Sequence, residues 1–345
     1  MRSWCPEIEV QRYHVPYYET DPGSTRVERA YREEERCQVR THLLRLAKQR
    51  PADLILVGRE TFVYEIPAIA GRLRIPWILR LGGHMLMGLE EGCFNTSEVE
   101  ELKQCFQAAD LVVAQTEHMR APAERFGCRK IAVVPNAVDL DQFAPRPKSA
   151  QLCRALGIGP ENFVVMHASN LKTVKRAADL VDSAPATLAT DPRIRYLIVG
   201  DGPCRPALEQ LVAGKRLQDR IRFTGWVDYA QIPEYLAVAD VVLMPWEREQ
   251  QARIYLETQA MERVLIASDI AAAQSVVEHG ATGLLFPAGD VNALASAILR
   301  AASNSALRIE MGKRARESVA KFSIGVISVQ LAAHMADVVR KRTGN

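Results

Sequence analysis

Between residues 239 and 290, two short apolar runs enclose a polar loop and a helical segment. Val241, Val242, Leu243 and Met244 form the first run, and Pro245 stops it. A polar loop containing Glu249 follows, and residues 251–261, with few helix breakers, read as a helix. Val264, Leu265, Ile266 and Ala267 form the second run, which ends at Ser268 and Asp269. Strand, loop, helix, strand in this order is a parallel βαβ unit, and it commits the chain to an α/β layer arrangement. Glu249 stands where the helix opens, and Glu257 lies eight residues further on. At about 1.5 Å of rise per residue the two acids are roughly one to two turns apart, close enough to touch different parts of one extended ligand. The loop also ends at a helix N-terminus, whose unpaired N–H groups favour an anion.

The same alternation runs through the rest of the chain. A loose alternation at residues 7–18 suggests a strand, and residues 21–24 a turn. Residues 26–49 read as a helix with a charged, solvated face, stopped by Pro51. Residues 53–58 read as a buried parallel strand, 64–73 as a helix and 76–81 as the next strand. Gly82, Gly83 and His84 follow at the C-terminal end of that strand, where ligands collect in open α/β sheets. Helices at 97–108 and 118–126 precede strands at 110–114 and 130–134. Residues 145–149 read as a linker. Strands follow at 162–168 and 195–199, and the chain after Asp290 is helical. With 345 residues, two domains are expected.

Composition narrows the function. A net charge of +3, scattered along the chain, argues against nucleic acid as the main partner. No apolar run approaches the length of a membrane span, and the first residues lack the apolar core of a secretory signal. Seven dispersed cysteines without paired spacing suggest reduced thiols and a cytoplasmic setting. The histidines are isolated, so no protein-built metal site is expected.

Glu249 and Glu257 resemble the E-x7-E signature of family 4 retaining glycosyltransferases, which have the GT-B fold of two Rossmann-like, doubly wound α/β domains facing across a cleft. Pro245, Leu256, Ala260, Ala267, Ser268 and Asp269 match the flanking pattern. The departures are in the glycines: Gln250 and Ala252 replace those after the first acid, and Glu262 and Val264 replace a later Gly and Pro. Ser275 stands where the family has a further acid. Pro135, Asn136, Val138, Asp139, Phe143 and Pro145 resemble the family's P-N-G-V-D-x-x-x-F-x-P, with Ala137 for its Gly; Asn136 and Asp139 read as fixing the turn by bonding nearby backbone. Residues 169–176 resemble the family's G-R-L-x-x-x-K-G, with Asn170 in the Arg position, Lys175 matching the Lys and Arg176 in the Gly position. The same run, S-N-L-K-T-V-K-R, is more specifically similar to N-acetylglucosaminyl-malate synthases. Residues 200–203 match its G-D-G-P, and residues 223–227 its F-x-G-x-V.

The resemblance implies transfer of a sugar from a nucleoside-diphosphate donor, UDP-N-acetylglucosamine first among them, to an unidentified acceptor hydroxyl with retention. Glu249, Lys175 and His84 are the implied catalytic residues. Asn170, Lys175, Gly202, Val227, Glu249, Gln250, Gln251, Ala252 and Glu257 are the implied nucleotide-sugar positions. No metal and no cofactor are expected, the nucleotide sugar being a co-substrate. Residues 1–147 with the helix 327–345 are expected on the acceptor side, and residues 148–326 on the donor side. The acceptor is a small molecule, a glycan or a lipid-linked sugar, with peripheral contact at the inner membrane face left open. Two alternatives stay open: a catalytically impaired nucleotide-sugar-binding relative or partner subunit, and a GT-B sugar epimerase. The family's first strand and glycine-rich loop are absent ahead of the first strand read here, so either Met1 is not the natural start or the chain is a poorly active relative.

Overall fold

The computed structural model describes residues 25–49, 51–58, 60–82 and 84–343. The strand and turn expected at residues 7–18 and 21–24 lie outside the described residues, as does Gly83. The chain forms two compact units. One holds the described residues up to Val113 with Pro122–Ile131 and the chain end from Met335; the other holds Ala114–Ala121 and Ala132–His334.

The first sheet contains β1 (Ile55–Val57), β2 (Trp77–Arg80), β3 (Leu111–Ala114) and β4 (Ile131–Val133), in that order across the sheet. β1 with β2 and β2 with β3 are parallel. Ile78, Leu79, Val112 and Val113 are buried, as apolar runs covered on both faces should be. The expectation of a buried strand at 53–58 is corrected in part: among the described residues β1 is the outermost strand, with Val57 buried and Leu56 40% exposed. The helix Thr96–Ala108 starts where Asn95 and Glu98 form a reciprocal capping box. A short helix, Ile66–Leu73, joins β1 to β2, and another, His84–Glu90, follows β2.

The second sheet contains β5 (Phe163–Ala168), β6 (Ile194–Val199), β7 (Ile221–Gly225), β8 (Val241–Met244), β9 (Val264–Ser268) and β10 (Gly283–Phe286). The spatial order is β10-β9-β8-β5-β6-β7, and every neighbouring pair is parallel. The chain therefore winds outwards from β5 to β7, returns to the other side of β5, and winds outwards again to β10. The order reverses between β5 and β8, which makes their C-terminal ends a topological switch point. Val165, Tyr196, Ile198, Leu243 and Ile266 of this sheet share one buried core with Leu180, Val181, Leu294 and Ile298 of the covering helices. The helix Val291–Ser303 is capped by Asp290, whose side chain accepts from Asn292 and Ala293.

Three further boundaries differ from the sequence reading. The helix expected from residue 251 spans Arg253–Ala260, leaving Gln251 and Ala252 outside it. A helix at Ala150–Leu156 follows the linker, held by a Ser149 cap and closed by Gly157 at φ 69°. The last helix runs Ile324–Thr343 and starts before residue 327. None of the described helices is long and apolar enough to cross a membrane.

Candidate functional site

All six strands of the second sheet point the same way, so the loops leaving their C-terminal ends gather along one edge. Four of these loops carry the residues singled out above. Residues 169–176 follow β5, 200–203 follow β6, 226–229 follow β7 and 245–252 follow β8.

The loops after β5 and β8 meet at the switch point. The Glu247 N–H donates to the Val174 carbonyl at 3.0 Å. Lys175 Nζ lies 2.6 Å from Glu249 Oε2, with side-chain exposures of 13% and 23%. The other Glu249 oxygen accepts from the Gln250 N–H at 2.9 Å. The ammonium of Lys175 also sits 3.5 Å from the ring centroid of Trp246, which is tilted against Tyr255 at 5.4 Å. A cation between a carboxylate and an indole face has little freedom to move. Trp246 was not singled out by the sequence reading; its signal was one aromatic side chain in a polar loop. Tyr255 is fully buried, its hydroxyl has no partner among the described residues, and burial and then Glu249 push its pKa up.

Gln250, in place of a family glycine, and its neighbour Gln251 both bond to residues distant in sequence. Gln250 Oε1 accepts from His118 Nε2 at 3.1 Å. Gln251 Oε1 accepts from the Asn136 N–H at 2.5 Å, and the Gln251 carbonyl accepts from Asn136 Nδ2 at 2.5 Å. Asp139 does fix its own turn, accepting from the N–H groups of Asp141 and Gln142. Asn136 also clamps the loop that carries Glu249, through both of its bonds to Gln251. Ala252, in place of a glycine, sits at φ −77° and needs no glycine freedom. Arg176 and Glu262 do occupy left-handed backbone, at φ 45° and 56°, where the family pattern has glycine. Ser275 donates its hydroxyl to the Ala272 carbonyl at 2.7 Å.

The loop after β5 is shaped from below and from the side. His167, fully buried on β5, bonds the Leu243 carbonyl through Nδ1 at 3.0 Å and Ser169 Oγ through Nε2 at 2.8 Å. Ser169 Oγ in turn accepts from the Leu171 N–H at 3.1 Å. A carbonyl only accepts, so Nδ1 carries the proton and Nε2 accepts from the serine hydroxyl. Burial lowers the His167 pKa to about 4, keeping the ring neutral. Gly200 and Gly202 press on the same loop. A Cβ at Gly200 would lie 2.0 Å from the Ser169 carbonyl oxygen, and one at Gly202 1.9 Å from that of Asn170. Gly202 thus sets where the exposed Asn170 stands.

Glu257 belongs to a second group. It is 4% exposed on the helix Arg253–Ala260. Tyr229 Oη donates to Glu257 Oε1 at 2.8 Å. Burial pushes the Glu257 carboxyl up from its usual range, opposed by the Tyr229 hydrogen bond and the charge of Arg253. Val227 is half-buried in the same loop as Tyr229. His84 lies in the other unit as the first residue of the helix His84–Glu90, and its side chain is outside the described residues.

The switch point of this parallel sheet thus brings together an acid, a lysine and a loop pressed by two glycines. Residues 162–304 match the family described as Glycosyl transferases group 1. Among curated proteins, the chain is 33% identical over 191 residues to N-acetyl-alpha-D-glucosaminyl L-malate synthase of Bacillus anthracis, covering 55% of this chain and 49% of that one. It is 28% identical over 212 residues to alpha-D-kanosaminyltransferase of Streptomyces kanamyceticus, covering 61% and 54%. The chain thus spans about half the length of the curated relatives it matches. Among solved structures, it superposes on the Anabaena protein HepE in complex with UDP and glucose with a TM-score of 0.77 at 22% identity, covering 87% of this chain and 81% of that one. Sucrose-phosphate synthase of Thermosynechococcus elongatus gives a TM-score of 0.78 at 23% identity, covering 88% and 78%. These likenesses establish the fold, that of the GT-B glycosyltransferases.

Proposed function

We propose that the chain transfers a sugar from a UDP-sugar to an acceptor hydroxyl with retention at the anomeric carbon. The observation that carries the reading is the contact of Lys175 with Glu249 across the switch point, at 2.6 Å. In this reading residues 148–326 hold the donor, and residues 1–147 with the C-terminal helix face the acceptor. Glu257, already buried and oriented, accepts the ribose hydroxyls. Lys175 leaves Glu249 for the diphosphate, and Glu249 then takes hydroxyls of the sugar. As the bond from the anomeric carbon to the phosphate oxygen breaks, negative charge gathers on the leaving diphosphate. Lys175, Asn170 and the N–H groups ahead of Arg253 stabilise that charge from fixed positions. The acceptor oxygen bonds the anomeric carbon on the face the diphosphate leaves, and its proton passes to the departing phosphate oxygen. No protein nucleophile is needed. The family resemblance supports a role for His84 at the donor sugar.

The names of the relatives support a glycosyl donor, and HepE, solved with UDP, supports uridine as the base. The fit of Ser275 to its own helix favours one second reading, a nucleotide-sugar binder with impaired transfer, since no carboxylate stands at that position. The test is a titration with UDP and a release assay with UDP-, GDP- and ADP-sugars. Lys175→Ala and Glu257→Ala should each weaken UDP binding by ~1–3 kcal/mol, the range for a charge-assisted hydrogen bond. Unchanged affinity in both variants would overturn the donor site. Tight UDP binding without UDP release from any sugar donor would favour the binder.

A further inference from the structure

The reading above leaves Tyr229 without a task. It opens the 3₁₀ turn Tyr229–Gln231 after β7, where Asp228 accepts from the Ala230 N–H at 3.0 Å. Its ring lies between the ring of Phe143, centroids 5.8 Å apart, and the guanidinium of Arg253, 5.1 Å from the ring centroid. The side chain is 44% exposed, yet its hydroxyl reaches a carboxylate that is 4% exposed. Among the described residues, Tyr229 is the side chain that hydrogen-bonds Glu257.

A buried carboxylate needs donors, and leaving it without one costs more than the bond itself contributes. In the nucleotide-free protein the phenol supplies that donor. A ribose offers two hydroxyl donors to the same acid, and the exposed tyrosine can swing into water, where its own hydroxyl is satisfied. We propose that Tyr229 stands in for a ribose hydroxyl on Glu257 and is displaced when the nucleotide binds, so that it sets how tightly the ribose is held. The proposal rests on Glu257 being the ribose acid. The tyrosine keeps the empty acid hydrogen-bonded and aimed. It also competes with the ribose, which weakens the grip on the spent nucleotide and speeds its release.

The experiment compares UDP with 2′,3′-dideoxy-UDP by calorimetry at pH 8, on wild type and Tyr229→Phe. Phenylalanine keeps the ring between Phe143 and Arg253 and removes only the competing hydroxyl. Wild type should prefer UDP. The variant should bind UDP about tenfold more tightly, the fold-change expected for release from a competing bond to a charged group. Its affinity for the dideoxy ligand should stay level or fall, so the ratio between the two ligands widens about tenfold. If wild type discriminates but the ratio in the variant is unchanged or narrower, Tyr229 does not compete, and the ribose role of Glu257 survives. If wild type binds both ligands alike, or binds neither, the ribose role fails and the proposal falls with it. Tyr229→Leu, measured in parallel, guards against a ring-packing effect: it should also widen the ratio, and a ratio that it leaves unchanged overturns the proposal as well.

Discussion

Lowering the pH should loosen the donor loop through His167, and the size of the effect follows from its burial. The ring is fully buried, and its pKa is lowered from an ordinary 6.5 to about 4. The unfolded chain therefore takes up this proton first as the pH falls. Stability from the neutral ring is complete above pH 6.5 and is lost as the pH falls towards 4. The 2.5-unit difference corresponds to about 3.4 kcal/mol once both states are protonated, and to about 1.4 kcal/mol at pH 5.5. Glu257 opposes the trend, because its raised carboxyl favours the folded state as the pH falls. The variant His167→Asn isolates the histidine, since asparagine does not titrate and can still donate to the Leu243 carbonyl. Urea denaturation of both proteins at pH 7.5, 6.5 and 5.5 gives the comparison. Between pH 7.5 and 5.5, wild type should lose about 1.4 kcal/mol more than the variant. Equal losses would mean that the ring is not held neutral by burial, and the reasoning would fail.

Four other outcomes are expected. Gly202→Ala places a Cβ 1.9 Å from the Asn170 carbonyl oxygen, so it should cost at least tenfold in UDP affinity and lower the melting temperature. Gly214→Ala, with nothing within 4 Å, should leave both unchanged or slightly improved. Glu262→Gly relieves left-handed backbone at φ 56° and should stabilise by ~0.5–1 kcal/mol after the entropy of the glycine is counted, whereas Glu262→Ala should not; equal midpoints in urea for all three would refute the strain. Donor turnover should persist in excess chelator, because Lys175 is read as the charge that meets the diphosphate; loss of turnover restored by Mg²⁺ or Mn²⁺ would contradict that.

Much of the second sheet could be read from the chain because its strands are continuous apolar runs, and a run such as 241–244 has few other homes. β10 was passed over because its apolar run is short and sits in a glycine-rich stretch closed by Pro287, with no helical segment as long as that between β8 and β9 joining it to β9. The helices His84–Glu90 and Ala150–Leu156 have seven residues each, about two turns, too few for a periodic apolar face to stand out. At the site, Lys175, Glu249 and Glu257 were legible because their motifs keep spacing. Tyr229, Trp246, His118 and the clamp from Asn136 were not, because each acts on a residue distant in sequence or through a ring contact no spacing rule encodes. The substituted glycines were visible only as departures. Only the backbone angles show that Ala252 never needed glycine, while Arg176 and Glu262 hold the strained conformation without it.

The reversal of strand order between β5 and β8 has a kinetic consequence. His167 on β5 bonds Leu243 on β8 across 76 residues of chain, and Val164 bonds Asp240 across the same interval. Lys175 and Glu249 stand on the loops that leave these two strands, so they meet only after a loop of that length closes. Closure entropy grows slowly with length, but contacts this distant along the chain slow folding markedly. During synthesis the chain can lay down β5 to β7 as each emerges, but the donor edge must wait for β8. If the proposed donor site is right, UDP binding should be the last signal to return on refolding, later than the helical far-UV signal, and a chain stalled before residue 241 would carry half a sheet and no completed switch point.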